Sequence, residues 1–416
     1  MRRELRIAGF LLYNCAILGA VFGVAEFAAR TVQFRRFGSN SQQPEALRDR
    51  WTAIRNNPAY GRPGMAHNAQ GFRRAENVEV VKPADTVRIF LLGGSVTYGG
   101  ESLYPEIESR AAPGNYETID YYLERQLNRE FPSKRWQVIN AGVKGYLLNQ
   151  DLALLLSTVV RYQPDYVISL DGVNDLSSLL RAPPRYDSYL QPELIQDFNR
   201  LANPSSLASL RAFSAAWLRN NSVLFYSMQN WLSNGSRHRA RAARARANTV
   251  PSALQFSDLT AQDQEQYRTS APQLESLLRP VRLMHAALAE EGIHGLFVLQ
   301  PEIILSHKPW IGNEQRLLEY HRKMESRVFL YGFETLYPEL GSRLRADAAE
   351  RGYAFLDLTN IFDGQAIQSY TDYCHLTPTG NSLIADRLFT ELRTSFQQAA
   401  AGTSMQAVRT TTGSGN

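Results

Sequence analysis

The sequence predicts an α/β protein, a three-layer α/β/α sandwich built on a five-stranded parallel sheet. Three observations carry that expectation. Five short apolar runs follow residue 86: Val87–Leu92, Trp136–Asn140, Tyr166–Leu170, Gly295–Leu299 and Ala354–Leu358. Each is rich in β-branched or aromatic residues and bounded by turn residues, as strands buried on both faces are. Helical patterns lie between the runs, and strands alternating with helices imply a parallel sheet covered on both faces. Gly292 and Gly352 each stand between the end of a helical pattern and the next strand, where a left-handed helix stop is expected.

In chain order, Ile119, Leu123 and Leu127 recur at helical spacing after the first strand, on a segment ending near Phe131-Pro132. Leu152, Leu155 and Val159 repeat the pattern before the third strand. Val281, Met284 and Leu288 do so before the fourth, and a helix ending at Glu350-Arg351 precedes the fifth. An insertion at about 178–273 breaks this rhythm. It starts Pro-rich (Pro183, Pro184, Pro192) and continues as a helical stretch, 207–232, whose apolar face includes Trp217, Phe225 and Trp231. The Arg/Ala run at 237–246 follows. It reads most simply as a solvated face or loop, with contact to anionic lipid or an acidic glycan as the functional alternative.

The N-terminus carries a separate expectation. After the basic leader Met1-Arg2-Arg3-Glu4-Leu5-Arg6, the 19 residues Ile7–Ala25 contain no charge. As a helix they span roughly 28 Å, close to the thickness of a bilayer core. The expected organisation is a membrane anchor at 1–36, a stalk and lead-in at 37–85, the α/β domain at 86–397 with its insertion, and a disordered tail at 398–416. Cleavage of the helix as a signal peptide is the alternative, since Gly23 and Ala25 suit a cleavage site. Arg30, Arg35 and Arg36 on the far side leave the orientation open to the charge rule. A single-pass protein of the inner (cytoplasmic) membrane, with its folded part on the periplasmic or extracellular side, is the expected placement.

A net charge of +5 over 416 residues, with no recognition motif or interleaved stacking aromatics, argues against a nucleic-acid partner. The two cysteines, Cys15 and Cys374, are too far apart to suggest a disulfide framework. The histidines at 67, 238, 285, 294, 307 and 321 show no metal-ligand spacing, so neither a metal nor another cofactor is expected.

Four segments carry candidate chemistry, and three of them follow expected strands, whose carboxyl ends converge in open α/β sheets. They are Gly93-Gly94-Ser95, Asn140-Ala141-Gly142-Val143-Lys144-Gly145, Gly172-Val173-Asn174-Asp175 and Asp372-Tyr373-Cys374-His375. Singly, each reads as a turn or a capping pair. The first has neither the glycine spacing nor the Lys-Ser/Thr ending of a phosphate loop.

Together, in this order, they resemble the SGNH/GDSL hydrolase superfamily over roughly residues 66–397, minus the insertion. The lead-in Asn68-Ala69-Gln70-Gly71-Phe72-Arg73 is also similar to one found in bacterial members. The resemblance implies a flavodoxin-like SGNH hydrolase fold and an acyl-enzyme mechanism without cofactor. In it Ser95 is the nucleophile, His375 the base, Asp372 the group orienting the base, and Ser95, Gly145 and Asn174 the oxyanion donors. Gly145 is preferred to Gly142 because the family's glycine lies five residues after the Asn, here Asn140. Gly94 departs from the Asp of Gly-Asp-Ser, a variant common in membrane-linked relatives. The implied activity is a serine esterase acting on a small ester or an O-acylated, typically O-acetylated, cell-envelope or exported polysaccharide. A lipid ester or thioester hydrolase, an O-acyltransferase using the same residues, and a non-catalytic glycan-binding or assembly module are the alternatives.

Overall fold

A computed structural model describes residues 2–37, 45–49, 51–110, 112–181 and 254–401, with only isolated positions between 182 and 253. In chain order it contains α1 (Arg2–Phe37), β1 (Ala46–Asp49), β2 (Ala53–Asn56), β3 (Gly61–Arg62), β4 (Met65–Ala66), β5 (Thr86–Gly93) and α2 (Ser95–Tyr98). Next come α3 (Ile119–Glu130), β6 (Arg135–Asn140), α4 (Leu148–Ser157), β7 (Tyr166–Asp171) and α5 (Val173–Arg181). The rest are α6 (Ala261–Ser270), α7 (Leu274–Glu290), β8 (His294–Leu299), α8 (Glu314–Met324), α9 (Arg327–Arg351), β9 (Ala354–Asp357) and α10 (Pro378–Ala400).

All five expected strands form, and they pair in the order β6-β5-β7-β8-β9. Every pairing is parallel, with Phe90 of β5 opposite Ile139 on one side and Val167 on the other. Every residue of β5 is buried, which explains its largely apolar run: a central parallel strand has no solvent face. The charged exception, Arg88, is buried with its guanidinium donating to Gln137 Oε1 and to the carbonyls of Glu79 and Tyr162. Helices α3 and α10 cover one face of the sheet, and α4, α7 and α9 the other. Gly292 and Gly352 have φ of 66° and 76° and end α7 and α9 as left-handed stops. The chain crosses from β6 on one side of β5 to β7 on the other. That reversal opens a crevice at the carboxyl ends of β5 and β7.

The lead-in differs from the expected stalk. Its described residues form two small hairpins, β1–β2 and β3–β4, fastened to the α/β domain. Asn56 Nδ2 donates to Gly142 O (2.9 Å), Gln150 Nε2 to Thr52 O (2.8 Å) and Tyr146 Oη to Ile54 O (2.6 Å). The contacts are made by buried polar groups, so the hydrophilic composition that suggested a stalk hid a packed layer.

Among the described residues no helix is long and apolar enough to cross a membrane. The side chains at the start of α1, through residue 12, lie outside them, so the uncharged run is covered only in part. Of the insertion, the described positions Arg211, Leu218, Leu224, Phe225 and Met228 are helical. Ser222 Oγ and Leu224 N–H donate to Glu26 of α1 (2.8 and 2.9 Å). The Arg/Ala run 237–246 and residues beyond 401 lie outside the described residues.

Candidate active site

The strand β5 ends in two glycines whose geometry is forced. Gly93 has φ 142°, and a Cβ on it would collide with Leu170 O and Thr97 Oγ1. A Cβ on Gly94 would stand 2.5 Å from Asn174 Nδ2. The bare backbone lets the Asn174 amide lie beside the residue that follows. That residue, Ser95, opens the short helix α2 and is half-buried. Arg73, from the lead-in motif, is buried and donates to the carbonyls of Tyr98, Gly99 and Pro113, which holds the chain as it leaves α2.

The loop after β6 supplies the next wall. Gly142 N–H already donates to Asn140 Oδ1 (3.0 Å), and a Cβ there would meet Tyr98 N at 2.6 Å. It is a packing glycine. Gly145 instead takes the left-handed conformation, φ 81°. Across the crevice Asn174, in the first turn of α5, donates from Nδ2 to Tyr146 O (2.9 Å). One amide hydrogen is thereby anchored and the second is left to point elsewhere. Asp175 accepts from Leu148 N–H (3.0 Å) and ties α4 to the same loop.

The turn after β9 carries the acid and the base. His375 Nδ1 lies 2.6 Å from Asp372 Oδ2. The same carboxyl accepts from the N–H groups of Leu103 (2.7 Å), Cys374 (2.9 Å) and His375 (2.8 Å). Burial acts to raise the Asp372 carboxyl, but the His375 imidazole and these hydrogen bonds outweigh it and hold it below the usual carboxylate range. His375 Nε2 is buried and has no hydrogen-bond partner. A Cβ on Gly100 would stand 2.9 Å from that nitrogen and 3.2 Å from Ser95 O, so only a bare glycine fits between the imidazole and the start of α2. Among the described residues no hydrogen bond joins Ser95 to His375 Nε2. Such bonds commonly tighten only when substrate is bound.

Cys374 is free and buried, and burial pushes its thiol well up. Among the described residues, Asp372, Cys374 and His375 are the one grouping with metal-like spacing. Its imidazole nitrogen Nδ1 is committed to Asp372 and its thiol is held protonated, so it makes a poor cation site. Of the five site residues expected from the sequence, Asp372 and His375 form a hydrogen-bonded pair, Asn174 lies beside Gly94 next to Ser95, and Gly145 lies on the loop after β6.

Sequence reasoning missed the carboxyl pair beneath the crevice. Asp151 Oδ1 accepts from Gly93 N–H (3.2 Å), and Asp151 Oδ2 is buried without a donor. Burial raises the Asp151 carboxyl well above its usual range, and the adjacent Asp171 carboxyl raises it further. Burial raises Asp171 too, partly offset by hydrogen bonds from Asp151 and Ser169. The two carboxyls bring α4 against the ends of β5 and β7. In the sequence Asp151 reads as an ordinary acid in the first turn of a helix, and nothing marks it as buried.

Known proteins bear on this geometry. No curated protein matches the chain. Similar solved structures include an acetylxylan esterase from Geobacillus stearothermophilus, 14% identical, covering 78% of this chain and 97% of that one, with a TM-score of 0.37. Another is an α/β hydrolase from the metagenome of Lake Arreo, 15% identical, covering 73% and 94%, with a TM-score of 0.35. The profile of GDSL-like lipases and acylhydrolases matches residues 89–388. That span reaches from the strand leading into Ser95 to past His375, and the chain therefore belongs to the GDSL-like lipase/acylhydrolase family of carboxylic ester hydrolases.

Proposed function

We propose that the protein hydrolyses esters through an acyl-Ser95 intermediate and removes O-acetyl or other short acyl groups from a cell-envelope or exported polysaccharide. The observation that carries the chemistry is the 2.6 Å Asp372–His375 pair with its outward nitrogen buried and unpartnered. Asp372 fixes the proton on Nδ1, which leaves the Nε2 lone pair to take the proton of Ser95 Oγ. As that proton moves, Oγ bonds to the ester carbonyl carbon and the carbonyl oxygen becomes an oxyanion. Ser95 N–H, Gly145 N–H and the second hydrogen of Asn174 Nδ2 stabilise it, each donor by about 3 kcal/mol. The intermediate collapses, the C–O bond to the alcohol breaks, and His375 returns the proton to the leaving alkoxide. Water then repeats the sequence on the acyl-serine, releasing the acid and free Ser95. A sugar hydroxyl in place of that water gives acyl transfer with the same residues.

Two features support the substrate class. A cavity of about 290 Å³ beside the loop after β6 is lined by polar and apolar side chains together, among them Asp49, Arg55, Asn56 and Arg161 with Trp51 and Tyr146, a mixture that suits a sugar better than an acyl chain. Along α1, Tyr13, Leu18, Val21, Val24 and Phe27 are all exposed. A helix with apolar side chains exposed on several sides gains by lying in a bilayer, which supports the membrane anchor; the placement of the catalytic domain on the outer side is part of the proposal.

The discriminating measurement is chain-length preference. p-Nitrophenyl acetate is expected to exceed the octanoate by about tenfold or more in kcat/KM, since the second ester adds six methylenes that need an apolar pocket. A preference for octanoate would contradict the short-acyl reading and favour a lipid ester.

A further inference from the structure

We infer that the cavity between the β1–β2 hairpin and the Gly145 loop is a subsite for a carboxylated sugar unit. As a step beyond the esterase reading, it rests on that reading only for the claim that this sugar belongs to the polymer whose ester Ser95 attacks.

Four observations lead there. The cavity, about 290 Å³, is walled on one side by Ala141, Val143 and Tyr146 of the loop after β6 and on the other by the hairpin. Its size lies at the lower end of small-molecule sites, suited to a single sugar. Trp51 stands at its edge with 70% of its surface exposed. An indole of that size left to water is unfavourable unless something covers it, and the flat C–H face of a pyranose is a natural cover.

The turn that presents Trp51 is built for the purpose. Asp49 Oδ1 accepts from Trp51 N–H (2.9 Å), Thr52 N–H (3.0 Å) and Thr52 Oγ1 (3.1 Å). The next residue, Ala53, is buried in the left-handed region at φ 69°, a conformation that costs a non-glycine residue of order 1 kcal/mol or more and often marks a functional turn.

Charge selects the ligand. Arg55 and Arg161 both line the cavity and are exposed. Arg55 reaches only as far as 3.9 Å from Asp49, whose other oxygen is occupied by the turn. Arg161 has no carboxylate partner among the described residues. Two guanidiniums against one engaged carboxylate leave net positive charge, and guanidinium matches a carboxylate in two parallel hydrogen bonds. An aromatic rim with an arginine fork describes a uronic acid unit better than a neutral sugar or a bare anion.

The subsite also touches the catalytic machinery. Tyr146 joins the two, with its hydroxyl on Ile54 O of the hairpin and its carbonyl holding Asn174 Nδ2.

Titration calorimetry on the full chain tests the inference. The probes are an unacylated glucuronic-acid-containing oligosaccharide, a neutral xylooligosaccharide of equal length, and sodium acetate. The acidic oligosaccharide is expected to bind about tenfold or more tightly than the neutral one, and acetate not to register. Trp51→Ala and Arg161→Gln, both at exposed positions, each weaken that binding by about tenfold or more, with unchanged thermal unfolding as the folding control. Equal affinity for acidic and neutral oligosaccharides, absence of binding, or undiminished binding by either Trp51→Ala or Arg161→Gln overturns the subsite. Acetate binding as tight as that of the oligosaccharide reduces it to an anion site and overturns the sugar assignment. Hydrolysis of p-nitrophenyl acetate on the same wild-type preparation reads the esterase separately, so the loss of either claim is recognised without the other.

Discussion

Asp372→Asn is expected to lower kcat on p-nitrophenyl acetate by about four orders of magnitude while the protein stays folded. The carboxyl of Asp372 accepts four hydrogen bonds, from His375 Nδ1 and the N–H groups of Leu103, Cys374 and His375, and donates none. An amide can keep only one oxygen. If that oxygen stays on the Cys374 and His375 amides, its NH2 faces His375 Nδ1 and must donate to it. The imidazole then carries its proton on Nε2, where a lone pair is required to take the proton of Ser95 Oγ. The imidazolium also loses the one negative charge beside it. Steady-state kinetics with a thermal unfolding control measure this directly. A loss of less than about tenfold would show that His375 is not oriented by Asp372.

The second large effect concerns stability. Lys308 Nζ lies 2.8 and 2.7 Å from the two oxygens of Glu314, and both side chains are fully buried. The pair is a clamp on backbone. Glu314 accepts from the N–H groups of Ser369 (2.7 Å), Tyr370 (3.1 Å) and Ile311 (3.1 Å), and Lys308 donates to Ile367 O and Ser369 Oγ. Tyr370 pairs with Leu376, and Thr371 N–H donates to His375 O (2.8 Å), so the clamp grips one side of the turn that presents Asp372 and His375. Glu314→Gln strands a buried ammonium and is expected to cost about 3–5 kcal/mol in urea unfolding. Replacing both residues with apolar ones, Lys308→Met with Glu314→Leu, removes the stranded charge but is expected to recover little of that loss, because the N–H groups of Ser369, Tyr370 and Ile311 are left unpaired. A cost below about 1 kcal/mol for Glu314→Gln would mean that water reaches the pair.

The sheet was readable because a parallel strand buried on both faces is mostly apolar, with Arg88, Gln137 and Ser169 the buried exceptions. Its five runs therefore stood out, and each ends within one residue of its observed strand. The site segments were readable because three of them sit at carboxyl ends of those strands, where topology gathers them. The lead-in was not readable. Asn56, His67 and Asn68 are buried there through hydrogen bonds rather than apolar contact, and such burial leaves no periodic hydrophobic trace. Asp151, Lys308 and Glu314 were missed for the same reason, since a charged residue in sequence reads as solvated until its partner is placed beside it.

The account stands or falls on Ser95 as the atom that is acylated. Exposure of the folded full chain to a fluorophosphonate probe, followed by mass mapping of the adduct, is the most direct measurement. Stoichiometric labelling on Ser95, abolished in Ser95→Ala and strongly slowed in His375→Gln, is the predicted result. Failure of the folded wild type to label, or equal labelling of Ser95→Ala, would contradict it.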